Sequence, residues 1–385
     1  MKIGNWARWL LVAPVLAVFL AGCENFWQAP GSGSGTATGA SSSVFYVLNQ
    51  GTKQIAGFSI VSGTLTPVTG SPYSLAAAPT SIAISPANNF LYVGTTAGIY
   101  LYNISPGGAL TLANNSTVIS SDYATTMQVD GTVGWLIEAG PNIPDLIAIS
   151  INATTGAPTT TIEQKVALPA ATVYQLAVSQ DNSHVVVALG SSGTEEIPFT
   201  AGNGTPFGTP INKGVVNSAG AAVSVAIDPS NRLLYVGETA ATAGSNSGGL
   251  RVFNLSTLAE VTGSPYATSG LAPYAIAPDA KGSYVFVANR TVSGSSTGNI
   301  AGFAVTTVGT TYSLTPLSTT ATAGTTPVGL VEDGLENYVL VVDSGGGPDL
   351  EAYTFDATTA GKLDSALSKS TGTDPVQAVA IAAAP

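Results

Sequence analysis

Pro79-Thr-Ser-Ile-Ala-Ile-Ser-Pro86, followed by Leu91-Tyr92-Val93, is the stretch that decides the fold. Its first half alternates small and β-branched residues between two prolines. That pattern reads as a short strand with a turn at each end. Its second half is apolar at every position, as in a strand covered on both faces. The second half has counterparts along the whole chain: Phe45-Tyr46-Val47, Trp135-Leu136-Ile137, Val185-Val186-Val187, Leu234-Tyr235-Val236, Val285-Phe286-Val287 and Val339-Leu340-Val341. The centres 46, 92, 136, 186, 235, 286 and 340 are spaced by 46, 44, 50, 49, 51 and 54 residues. A near-constant period of this length marks a repeat architecture.

Around each centre the neighbours repeat too. A strand like Pro79–Pro86 precedes it, as in Ala222-Val-Ser-Val-Ala-Ile-Asp-Pro229, Pro273-Tyr-Ala-Ile-Ala-Pro278 and Pro375-Val-Gln-Ala-Val-Ala-Ile381. A third strand follows, as in Gln54–Ile60, Gly98–Ile104 and Gly249–Leu255, and then a weaker fourth, as in Gly63–Val68. Four short strands per unit define a propeller blade. The expectation is an all-β, seven-bladed β-propeller with four-stranded blades. The domain opens with a second-type strand at Val44 and ends with an innermost-type strand at Val376–Ile381. One blade is therefore expected to pair N-terminal strands with the C-terminal strand, closing the ring and covering two edges.

Composition excludes other classes. Only 9% of the 385 residues are charged, against 45% hydrophobic. A disordered chain has the opposite balance. With 22 acids against 11 bases there is no basic face for nucleic acid.

The N-terminus carries an address. Lys2 and Arg8 precede the apolar run Trp9–Leu20, which is too short to span a bilayer and the right length for a signal core. It ends in Leu20-Ala21-Gly22-Cys23, which resembles the lipobox of bacterial lipoproteins. That resemblance implies cleavage before Cys23, the only cysteine, and lipidation of its thiol. It implies a membrane partner through the lipid and a place in the cell envelope. Glu24 in place of Asp favours the outer over the inner membrane. The expected organisation is a signal peptide over 1–22, a lipidated Cys and Gly/Ser tether over 23–43, and the propeller over 44–385. Removing Lys2 and Arg8 takes the net charge from −11 to −13.

The Leu-Tyr-Val strand, the preceding Ile-Ala-Ile-Ser-Pro or Ile-Asp-Pro, and Thr69-Gly-Ser-Pro-Tyr73, repeated as Thr262-Gly-Ser-Pro-Tyr266, resemble the lactonase-type propellers. This family includes the bacterial propeller 6-phosphogluconolactonases and the related YVTN-repeat proteins. The likeness spans residues 43–385 and implies the propeller fold. Lactonase members carry Pro-His-x-His on an innermost strand and Asp-Leu-Gly after the next. Here the matching stretch is Leu168–Val178, then Ala188-Leu189-Gly190, without the histidines or the aspartate. Acid–base work on a lactone needs a titratable group in reach. The chain therefore reads as a binding module and not an enzyme, with lactone hydrolysis as the alternative and a structural part in an envelope complex as a third reading.

His184, the only histidine, falls in Asp181-Asn-Ser-His184, read as a solvated turn. One His and a lipid-bearing Cys leave no zinc set. Asp343-Ser-Gly-Gly-Gly-Pro-Asp349 reads as a surface loop in preference to a calcium loop. No cofactor and no catalytic residue is expected. A candidate binding site comes from register. Two residues past each core centre's following valine the chain carries, in order, Asn49, Thr95, Ala139, Leu189, Glu238, Asn289 and Asp343. The polar members and Arg290 fall on adjacent units. Asn49, Glu238, Asn289, Arg290 and Asp343 are thus expected to line one arc of the funnel and hold a carbohydrate-like ligand, or else to face an envelope protein. The chain is expected to be a monomer.

The address makes a testable statement. Mature protein should begin at Cys23 and partition into detergent, and Cys23→Ala should leave the precursor unprocessed or free of the membrane. Fractionation with N-terminal mass spectrometry reads both.

Overall fold

A computed structural model describes residues 43–384, apart from 114–116, 133, 142–143, 171, 242–247, 296 and 372–377. The signal and tether over 1–42, with Cys23, lie outside the described residues. Ser43, expected in the tether, is instead the buried first residue of the strand Ser43–Asn49.

Every named element is a strand, and all pairings are antiparallel. The unit that begins at Pro79 shows the plan. Pro79–Ile84, Phe90–Thr95, Gly98–Ile104 and Leu110–Leu112 pair in sequence order as one four-stranded sheet. Units beginning at Thr126, Gln175 and Ala222 repeat it. In the N-terminal sheet, Ser43–Asn49 pairs on one side with Gln54–Val61 and on the other with Ala378–Ala383, at Phe45↔Ala383 and Val47↔Ile381.

The last two expected blades differ from the sequence reading. Strands from Pro273 to Lys369 form one continuous eight-stranded sheet, so five blades, not seven, stand as separate sheets. The cause is local. Thr320–Glu332 runs 13 residues without the turn that breaks the corresponding segment elsewhere. Its start pairs with Thr297–Val308 at Ile300↔Thr320, and its end pairs with Tyr338–Gly345 at Leu330↔Val341.

Packing explains the sequence pattern. Tyr46, Leu91, Tyr92, Leu136, Val186, Tyr235 and Leu340 have no exposed surface. Alternate residues of one strand enter different cores. Tyr92 joins a cluster with Leu136 and Ile149, whereas Leu91 and Val93 join one with Tyr46 and Leu48. Both faces of each sheet are thus dry, which accounts for the low charge content.

Polar groups inside this packing are closed locally. In six units the residue that directly follows the innermost strand, at 85, 130, 179, 228, 279 or 333, is a buried Ser or Asp. Each accepts an amide at the start of the next strand, that of Phe90, Trp135, His184, Tyr284 or Tyr338, or, for Asp228, that of Arg232 just before Leu233, at 2.6–3.0 Å. The repeated Thr-Gly-Ser-Pro-Tyr motif acts in the same way. Ser71 and Ser264 accept the Gly57 and Val252 amides, and the Tyr73 and Tyr266 hydroxyls accept amides of Leu110 and Leu314 in the following sheet. Neighbouring innermost strands are bridged by side chains: Gln128 accepts from the Val178 amide, Gln175 from the Val225 amide, and Ser224 donates to the Pro273 carbonyl.

The core tyrosines give a test. The Tyr92 hydroxyl donates to the Gly156 carbonyl at 2.8 Å, while the Tyr235 hydroxyl is buried without a partner. Tyr92→Phe should lower stability by about 1–3 kcal/mol by leaving a buried acceptor unmet. Tyr235→Phe should leave stability unchanged or raised. Urea unfolding of both variants checks the difference.

Candidate functional site

Second strands finish at one end of the sheets, where the register residues lie. The structure places them there but turns them inward. Asn49, Thr95, Asn289 and Asp343 have no exposed surface, and Glu238 has 1%. They do not line an open funnel, and the expected five-residue polar arc is corrected on this point. Each is absorbed by its own surroundings. Asn289 donates to the Asn299 side chain at 2.9 Å and to the Thr268 carbonyl at 3.0 Å, and accepts from the Thr268 hydroxyl at 2.8 Å. Asn49 donates to the Thr371 carbonyl and accepts from its hydroxyl at 3.0 Å. Glu238 accepts from Arg251 at 2.9 Å and from the Val216 amide at 3.0 Å. Arg251 also binds Glu260 at 3.0 Å. The physical reason is that a polar residue at a covered strand end must be hydrogen-bonded.

Asp343 is the exception. Both carboxylate oxygens are buried without a partner. Burial, then the nearby charges of Glu351 and Asp349, pushes its carboxyl up to about 8. The loop read as Asp343–Asp349 is also shorter than expected, because the strand extends to Gly345. Asp349 is buried, and its carboxylate accepts the Thr371 amide at 2.7 Å. Among the described residues no group of three or more His, Cys, Asp or Glu side chains fits a metal ion.

Arg290 keeps the geometry of a binding residue. It is half-buried, and its guanidinium carbon lies 3.2 Å from the centre of the Tyr274 ring. Its Nε is buried without a hydrogen-bond partner. The other two described arginines, Arg232 and Arg251, are bound to carboxylates. Tyr274 owes its position to a β-bulge, since Pro273 pairs with Asn289 and Ala275 with Ala288. The same bulge falls at Thr80, Val223, Val328 and, on the C-terminal strand, Val379. Bulges of this kind re-aim single side chains at sheet ends. Tyr174, 40% exposed, precedes the innermost strand Gln175–Val178.

His184 is not in a solvated turn. It opens the strand His184–Ala188, with Nδ1 2.6 Å from the buried Glu196 carboxylate. The lone-histidine signal did not reveal this partner, because Glu196 lies across the hairpin. Sequence reasoning also missed Tyr274, Arg251, Thr268 and Thr371, whose roles depend on cross-strand and loop contacts. It missed Glu138, 1% exposed, with Oε1 unpartnered. Burial, then Asp122, pushes its carboxyl up to about 9. At the opposite end of the sheets is an open groove of about 550 Å³, bordered by Ile60, Leu335, Glu336, Tyr338 and Phe355. Its acids are already engaged: Asp333 accepts the Tyr338 amide and Glu336 binds Lys281.

No family model and no curated protein matches this sequence. Solved structures do match it. A provisionally assigned 6-phosphogluconolactonase of Bacteroides uniformis superposes with a TM-score of 0.69 at 15% identity, over 89% of this chain and 99% of that one. The periplasmic gluconolactonase of Pseudomonas aeruginosa gives 0.68 at 14% identity, over 90% and 99%. The Cps50 (Swd1) β-propeller domain of Myceliophteria thermophila gives 0.57 at 12%, over 81% and 91%. These identities show the fold: an all-β propeller with antiparallel four-stranded blades, whose structural neighbours include lactonase-like propellers.

Glu138 makes the pH dependence predictable. Its folded carboxyl holds a proton that the unfolded one releases near 4.5. The native state therefore binds more protons between pH 4.5 and about 9, and stability falls as pH rises through that window. Glu138→Gln should flatten that part of the slope, read by urea unfolding across pH 5 to pH 9.

Proposed function

We propose that this chain is a non-catalytic binding propeller, carried on a lipid at Cys23 in the bacterial cell envelope, with the outer membrane favoured. Its ring has seven blades, the eight-stranded sheet counting as two, and Ala378–Ala383 closes it against Ser43–Asn49. This count is supported by the order of contacts, in which the innermost strands meet in succession and the last meets Pro79–Ile84. The ligand is a hydroxylated, sugar-derived acid. One observation carries this reading: Arg290, oriented by Tyr274 and without a carboxylate, in a chain with 22 acids and 11 bases. A planar guanidinium fixed on an aromatic face is suited to a carboxylate, and the Tyr274 ring beside it suits the apolar face of a sugar ring. Asn49, Glu238, Asn289 and Asp343 are buried at their strand ends and do not touch the ligand.

A second reading, hydrolysis of a sugar lactone, is favoured by the gluconolactonase likeness. Against it stands the stretch Leu168–Val178, which brings no histidine, and the engagement of His184 with Glu196.

Calorimetry of the tether-free domain against sugar acids tests the first reading. A charge-assisted contact is worth about 1.5–3 kcal/mol, so Arg290→Ala should weaken binding by roughly ten-fold or more, and Thr95→Ala should not. Equal effects, or no ligand among the acids, would remove it. Turnover of gluconolactone above the spontaneous rate would establish the second reading.

A further inference from the structure

Two register positions share one Thr–Gly spacing, and their side chains differ in one atom, a nitrogen in Asn289 and an oxygen in Asp343. Thr268 precedes Asn289 by the same 21 residues that separate Thr322 from Asp343. The glycine two residues further on is pressed against the register side chain in both places. A Cβ on Gly270 would meet Asn289 at 2.3 Å, and one on Gly324 would meet Asp343 at 2.6 Å. Around Asn289 the amide does two jobs, donating to the Thr268 carbonyl and accepting from its hydroxyl. Asn49 does the same two jobs with Thr371. Asp343 has an oxygen where these residues have the donating nitrogen. As a carboxylate it has no proton to give, and neither of its oxygens receives one from any donor. Thr322, 5% exposed, directs its hydroxyl to the Gly324 carbonyl at 3.4 Å instead.

We propose that Asp343 is a proton-operated latch on the strand segment over residues 320–326: as the neutral acid it serves as the amide does at Asn289 and Asn49, and on ionisation it releases that segment. The surroundings set the direction. The third strand, Leu350–Phe355, puts the Glu351 carboxylate on the same spot, with the Tyr353 hydroxyl bonded to Glu351 at 2.7 Å. Asp349, whose carbonyl accepts the Asp343 amide at 2.9 Å, adds a second acid. The strand Thr320–Glu332 contributes Thr322, Gly324 and Pro327, none of them charged, and Glu332 sits at its far end on the Ala280 amide. From the N-terminal sheet and its loop come Asn49 and Thr371. On the fourth strand Lys369 is exposed and Asp364 is bound to Lys362. No cation is therefore bonded to Asp343, and its ionisation adds a like charge to a dry acidic spot. The segment lies at the same end of the sheet as Arg290, which follows the strand Tyr284–Asn289.

Hydrogen exchange on the tether-free domain, corrected for intrinsic rates, tests the latch. The closed state holds the proton up to about pH 8. Opening is expected to increase by about ten-fold per pH unit from pH 5 to pH 8. Protection at 320–326 and 343–351 should fall accordingly, while that at 284–289 stays level. Asp343→Asn should abolish the fall. Asn289→Asp should create one at 268–289, which keeps the test decisive if Asp343→Asn does not fold. A fall that persists in Asp343→Asn, no fall in the unmodified chain, or no new fall in Asn289→Asp would overturn the proposal. Because the readout needs no ligand, its failure is separate from failure of the binding reading.

Discussion

In six units an amide at or just before the start of the second strand donates to the buried Ser or Asp that follows the innermost strand. Six times, from Ser85 to Asp333, the same bond closes the same turn. The rest of the architecture depends on it. The second strand that starts there is covered on both faces, so its residues contribute only apolar surface. A turn left open beneath such a strand would strand a buried amide, at a cost of about 1–3 kcal/mol. With the turn closed, Leu91, Tyr92 and their counterparts can be dry on both faces.

Inter-sheet contacts follow from that dryness. With few charges available, the sheets are joined by hydroxyls and amides. Tyr46 and Tyr92 reach the carbonyls of Gly108 and Gly156, Ser81 and Ser224 reach backbone oxygens, and Gln128 and Gln175 accept backbone amides. Such bonds are directional and place one sheet against the next without ion pairs. The ion pairs that do exist are specialised. Arg251 bridges Glu238 and Glu260, and Arg232 forms a fork on Asp228. Among the described residues Arg290 has the Tyr274 ring and no carboxylate partner, and its Nε is unpartnered.

Buried carboxyls are the cost of this design. Glu138 and Asp343 are buried, each with a carboxylate oxygen that no hydrogen bond satisfies, whereas the buried Glu238 is held by Arg251. Both are pushed toward the neutral acid, and both couple the fold to pH. Asp343 sits on the side of the sheets that carries the candidate site; the opposite groove has its acids already paired.

The sequence by itself determined the strand pattern, the order of strands within a blade and the pairing of the first strand with the last. The reason is physical: a strand covered on both faces must be apolar throughout, and Pro, Gly and Asn must mark its turns, so the pattern at Pro79–Val93 is legible without coordinates. It also supplied Arg290, since a lone arginine beside a strand end stands out in a chain with few charges. Only the tertiary structure decided where the polar register residues point. Asn49, Glu238 and Asn289 share a strand position, and periodicity cannot tell a funnel wall from a covered cap. The loops that carry Thr371, Val216 and Thr268 make that difference, and they are distant in sequence or irregular. Tertiary structure also decided that Thr320–Glu332 runs through without a turn and joins two expected blades in one sheet. That outcome depends on which neighbour each end of the segment pairs with, and no local residue preference records it.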